Sequence, residues 1–262
     1  MNFKEIYEQG LTEAQQQCIE SSYMFSNPTM ITGIISPESS IVINSGFQLG
    51  FQLDKEGMLK IIEMFEKIWN AKSDTERKNL FSTLVDIYLI IDEYFGGIGD
   101  ESARKKVYLE SNDGSLSLSE FEGKNIGLCA EKASTAHQLL SILQKAGYYE
   151  KFDSYLACSY LISGGERHAH SFVVLRNKDD ISKHFLFDVQ NLLDYKQSVD
   201  SALSKGIGLY SLTDEECKDF ENGKSVTPQS IYEKMGWIVM NEARTYGNGR
   251  IPTRDGMKID QR

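Results

Sequence analysis

The sequence predicts an α+β fold in which helices come first and one further helix is then followed by antiparallel-looking strands. Three observations predict it. Apolar residues recur at helical spacing through residues 55–95. A second helical stripe begins at Cys129 and stops at Gly147. Three β-favouring runs then follow, at 155–162, 169–176 and 184–189, separated by short polar turns.

Taken in order, residues 1–25 read as a polar helix rich in Glu and Gln. Between Pro28 and Leu53 lie short β-favouring runs: Met30-Ile31, Ile34-Ile35, Ile41 to Ile43 and Phe47 to Phe51. Gly33, Pro37 and Gly46 cut them. Met58, Ile61, Ile62, Phe65, Ile68 and Trp69 mark one face of a helix over residues 55–71. Ser73 followed by Glu76 resembles a capping box and opens a helix that runs to Phe95, where Gly96-Gly97 ends it. Residues 97–124 read as polar loop with one strand at 106–109. Ala133, Ala136, Leu140 and Leu143 then form the stripe of the helix opened by Cys129. Beyond Asn191 the signals are weaker: helices at 214–221 and 228–235, and a strand at 237–240. The chain divides into a mainly helical N-terminal region with short strands (1–104), read as a recognition or regulatory layer, a core (105–240) and a polar tail (241–262).

Composition narrows the function. The 262 residues are 40% apolar and 25% charged, which fits a folded globular chain rather than a disordered, collagenous or disulfide-scaffolded one. A net charge of −10 repels polyanions, so neither nucleic acid nor a membrane surface is an expected partner. The most apolar run, 80–95, is interrupted by Asp86, Asp92 and Glu93 and reads as a core helix rather than a span. The start, MNFKEIYEQG, has no apolar h-region or cleavage site, so a cytoplasmic location, or export without a cleaved signal, is expected. Cys18, Cys129, Cys158 and Cys217 form no CxxC pair and are too few for a disulfide framework.

One constellation carries chemistry: Cys129 at a helix start, His170 on a strand and Asp188 at the end of the next strand. A helix N-terminus favours the thiolate, the nucleophilic form, and its N–H groups suit an oxyanion. A histidine on a neighbouring strand transfers the proton, and a carboxylate beyond it fixes the imidazole tautomer. An acid ending the apolar run Phe185-Leu186-Phe187-Asp188 needs a partner to justify its place.

Gly127-Leu128-Cys129-Ala130-Glu131-Lys132-Ala133 resembles the G-x-C-x-[EQ]-x-A segment of the transglutaminase-like superfamily. His170-Ser171-Phe172-Val173-Val174-Leu175 resembles that family's histidine strand, and Phe185 to Asp188 its strand ending in the third triad residue. The resemblance spans residues 125–191, roughly a quarter of the chain. It implies a papain-like core, Cys129, His170 and Asp188 as a catalytic triad, and thiol acyl transfer on a protein or peptide substrate. Deamidation, transamidation and peptide hydrolysis all fall within it, with no metal or organic cofactor. The family's Asp-Pro is here Asp188-Val189. That pair and the G-x-C-x-E start are also similar to arylamine N-acetyltransferases, whose flanking Arg-Gly-Gly and Gly-Phe-Gly are missing.

Other residues stand beside the triad. His168 lies two residues before His170 and is a substrate-binding candidate; Asn125 is a candidate oxyanion donor, or simply a turn residue. Gln190 and Asn191 are alternative orienters of the histidine. Glu131 reads as a solvated or salt-bridged helix residue. A zinc site built from His168, His170, His184 and Cys129 lacks a second cysteine or carboxylate at short spacing. Against all of this stands a catalytically silent binding module with Cys129 as a core residue. Oligomeric state is not legible.

Overall fold

The computed structural model describes residues 1–15, 18–20, 33–44, 48–97, 99–111, 114–163, 166–179, 185–190 and 209–211. The helices predicted at 214–221 and 228–235, the strand at 237–240, the tail and His184 lie outside the described residues.

The fold is mixed α+β. Helix α1 (Phe3–Glu13) is shorter than the predicted 1–25. Ala14 turns extended (ψ 130°), and strand β1 (Cys18–Glu20) follows. Strand β1 pairs in parallel with β2 (Ser40–Asn44), a tertiary choice that local helix propensity does not reveal. Strand β3 (Gln48–Gln52) pairs antiparallel with β2 and parallel with β4 (Ser115–Ser117), which completes a mixed four-stranded sheet in chain order. Ile34 and Ile35 belong to no strand.

Helix α2 (Lys55–Ala71) starts where the Asp54 carboxylate accepts from Gly57 N at 3.1 Å, and it buries Met58, Ile61, Ile62, Phe65 and Trp69. Phe3 of α1 packs edge-on against Trp69, with ring centroids 5.5 Å apart. The predicted single helix over 73–95 is two. Ser73 and Glu76 do form a capping box, but it opens only the short α3 (Asp74–Arg77). Asn79 caps again, accepting from Ser82 N, and α4 (Leu80–Phe95) begins there. The predicted strand at 106–109 is instead part of helix α5 (Glu101–Glu110), opened by Asp100, whose carboxylate accepts from Ala103 N at 2.9 Å. A 3₁₀ turn (Leu118–Phe121) follows β4.

Helix α6 (Cys129–Lys145) is the hub: every residue from 130 to 143 is buried. It packs along β5 (Phe152–Ser163) and β6 (Glu166–Asn177), and against α1 and α4 on its other sides. With β7 (Phe185–Phe187) and β8 (Leu209–Ser211) these strands make an antiparallel sheet in chain order. Strand β8 carries no signal in the sequence analysis. Ser154, Leu156, Val173 and Leu175 form the sheet face toward α6. Phe172 and Val174, on the other face, are also fully buried. One continuous apolar core joins Phe3, Phe65 and Trp69, through Ile87 and Ile91, to Leu140, Leu143, Val173 and Leu175. No helix among the described residues is long and apolar enough to cross a membrane.

Candidate active site

Cys129 is the first residue of α6, half-buried and a thiol rather than half of a disulfide. The turn before it is tightly fixed. Asn125 adopts φ 54°, a left-handed conformation that asparagine tolerates. Its N–H donates to Phe95 O (2.9 Å) and its carbonyl accepts from Asp100 N (2.8 Å). Asn125 thereby joins the ends of α4 and α5, while its side chain is exposed. Gly127 has a steric reason: a Cβ there would lie 2.0 Å from the Phe95 ring. The glycine of the G-x-C segment thus lets the chain pass Phe95 before α6 begins.

Leu128 is the N-cap and its side chain cannot cap. Glu131 acts in its place. Its Oε2 accepts from Leu128 N at 3.1 Å, half of a capping box. Its Oε1 accepts from Arg104 Nε (2.8 Å) and Tyr108 Oη (3.0 Å), and Arg104 Nη2 lies 2.6 Å away. Glu131 is 0% exposed, so of the two expected roles it is salt-bridged and not solvated. Burial opposes the Arg104 charge, but the Glu131 carboxylate more than offsets it and the guanidinium stays firmly protonated. Burial, reinforced by Glu131, raises the Tyr108 hydroxyl far above its ordinary value. Local pattern alone reads the segment of Arg104 and Tyr108 as loop and strand, which hides both residues. The signal that finds them is Asp100 as an N-cap, with Arg104, Val107 and Tyr108 at helical spacing after it.

Lys132 is also fully buried. Its Nζ donates to Gly97 O at 2.7 Å and stands 5.9 Å from the Phe95 ring centroid. Burial lowers its ammonium to about 8, against the pull of Asp92, Glu131 and Cys129. Arg104 and Lys132 are both electrostatic neighbours of Cys129.

The backbones of His168 and His170 lie on β6, opposite Leu161 and Ser159 of β5; their imidazoles lie outside the described residues. Asp188 follows β7 directly and is 0% exposed, with Oδ1 accepting from Gln190 N at 3.0 Å. Phe187, the residue before it, pairs with Val173, so Asp188 lies along β6 near the histidine end. Gln190 is 2% exposed, and its Oε1 has no hydrogen-bond partner among the described residues.

Comparison with protein-family models, with curated proteins and with solved structures finds no match for this chain.

Proposed function

We propose that this chain is a cysteine-dependent amide or acyl-transfer enzyme with a papain-like, transglutaminase-like core. Cys129 is the nucleophile, His170 the general base and acid, and Asp188 the group that orients the imidazole. In this reading the Cys129 thiolate attacks a carboxamide or peptide carbonyl. His170 protonates the leaving amine, a thioester forms, and water hydrolyses it or a second amine replaces it. The substrate is a protein or peptide, and the charge of −10 favours a basic or neutral one.

The observation that carries the reading is the common level of helix start and histidine strand. His137 and Gln144 of α6 both reach the Ser154 hydroxyl, at 3.3 and 3.1 Å, so β5 runs back along α6 from its C-terminal end. From the midpoint of those contacts to Cys129 is roughly 17 Å of helix at about 1.5 Å per residue. That length matches about five strand residues. It ends near Ser159, whose β6 partner is His170. The buried Asp188 beside the same strand supports the third role.

One observation favours the silent binding module instead. Strand alternation puts Ser171, together with Val173 and Leu175, on the face toward α6, and Ser171 is buried. A serine there offers Cys129 no base. The two readings separate by incubating the chain with a panel of glutamine-containing proteins, using Cys129→Ala as control. Mass spectrometry that finds deamidated, cross-linked or cleaved products only with the unaltered chain supports the enzyme. The absence of any Cys129-dependent product supports the module.

A further inference from the structure

We propose that Arg104 is a positioning residue for Cys129: by neutralising the buried Glu131 carboxylate in the first turn of α6, it keeps a like charge from suppressing the Cys129 thiolate. The inference rests on the reading of Cys129 as the nucleophile.

The need for such a device follows from the helix start. With leucine at the N-cap, the first turn takes its capping from Glu131, which accepts from Leu128 N at 3.1 Å. A carboxylate in the first turn suits the helix dipole. It also stands two residues from Cys129, where a bare negative charge disfavours a second one. An exposed glutamate would be damped by water. Glu131 is 0% exposed and has no such damping. Arg104, at 2.6 and 2.8 Å, cancels that charge in place, and Tyr108 at 3.0 Å fills the remaining site on the same oxygen. Both come from one face of α5, which Asp100 starts and which Asp100 N ties to Asn125 O in the turn before Cys129. One short helix thus supports the nucleophile's turn both mechanically and electrically.

The charged and titratable groups around the thiol come from several elements. They are Arg104 and Tyr108 of α5, Glu131 and Lys132 of α6, and Asp92 of α4, which pulls on Lys132. The main variants change only the Arg104–Glu131 pair.

The test is the pH dependence of Cys129 alkylation by iodoacetamide, followed on the Cys129 peptide of the full chain by mass spectrometry. Glu131→Gln keeps the acceptor for Leu128 N and leaves Arg104 uncompensated, so the midpoint falls. Arg104→Gln leaves the carboxylate uncompensated, so the midpoint rises. Each shift is about one to two pH units, the effect of a unit charge over about 6–12 Å at an effective dielectric of about 20. The double variant returns to the midpoint of the unaltered chain. A purely structural role loosens the same turn in both single variants and moves both midpoints the same way, which overturns the proposal, as do unmoved midpoints in folded variants. Should Arg104→Gln not fold, Tyr108→Phe takes its place, with a smaller upward shift expected against the downward one of Glu131→Gln. The triad reading fails by a different result, the absence of any Cys129-dependent product, and can fail while the opposed shifts are seen.

Discussion

His137 gives the fold a measurable acid limit. Its ring is 0% exposed in the middle of α6, between Gly33 O (3.2 Å from Nε2) and the hydroxyl of Ser154 (3.3 Å from Nδ1). The Gly33 carbonyl can only accept, so it takes a proton on Nε2, and complete burial disfavours a second proton on the ring. Burial holds its pKa at about 4, against 6.5 in the unfolded chain. Between those values the unfolded chain binds a proton that the folded chain refuses, so stability present above the upper value is lost as pH falls toward the lower one. The full difference is about 3 kcal/mol, and about 2 kcal/mol of it is gone by about pH 5. The assay is urea unfolding followed by circular dichroism at about pH 7.5 and about pH 5. His137→Gln loses the contacts at both pH values but has nothing to titrate. The unaltered chain should therefore lose about 2 kcal/mol more than the variant across this window. Equal losses in the two proteins would refute the assignment of a buried, neutral His137.

Three other substitutions test the scaffold of the site. Gly127→Ala drives a methyl into Phe95 and should cost about 1–3 kcal/mol, read as a lower melting temperature, with altered Cys129 alkylation. Gln138→Leu removes the amide that accepts from Ile35 N (2.8 Å) and donates to Ile35 O (3.0 Å); stranding two buried backbone groups should cost about 2 kcal/mol or more in urea unfolding. Asp100→Ala deletes the cap of α5 and should cost about 1 kcal/mol, with hydrogen exchange faster across α5 than across α4.

The elements legible in the sequence are those whose periodicity is local. The stripe of α2 and the stripe of α6 with its glycine stop both appear in the structure, and the three β-rich runs pair antiparallel. What escaped has a tertiary cause. Strand β1 exists through its pairing with β2 in a segment whose composition favours helix. Helix α5 is polar on most of its surface, so no apolar stripe announces it; the two side chains it buries, Arg104 and Tyr108, are there for Glu131. At the candidate site, Cys129 at a helix start and Asp188 at a strand end followed from local pattern. The buried state of Glu131 and Lys132 did not, because a charged residue on a helix is ordinarily solvated and only the enclosing fold says otherwise.

That enclosure is the feature that most constrains what α6 does. An ordinary amphipathic helix buries one stripe, whereas α6 buries fourteen consecutive residues, among them Glu131, Lys132, Ser134, Thr135, His137, Gln138 and Ser141. Apolar residues at those positions would fill the space with no desolvation penalty, and buried ion pairs are often no more stabilising than such replacements. The polar groups instead have addressed partners. Ser134 and Thr135 bond back to Ala130 O and Glu131 O, Gln138 holds Ile35, His137 holds Gly33, Lys132 holds Gly97 and Glu131 holds Arg104. The Ser134 and Thr135 bonds stay within α6, but the other four each have a single geometry and together fix the rotation and axial position of α6 against its neighbours, which a purely apolar surface would leave free to slide. Two of the four, those of Glu131 and Lys132, lie in the first turn, which presents Cys129. A thiol that only filled space would need no such registration, whereas one that must meet a proton acceptor on a separate strand would.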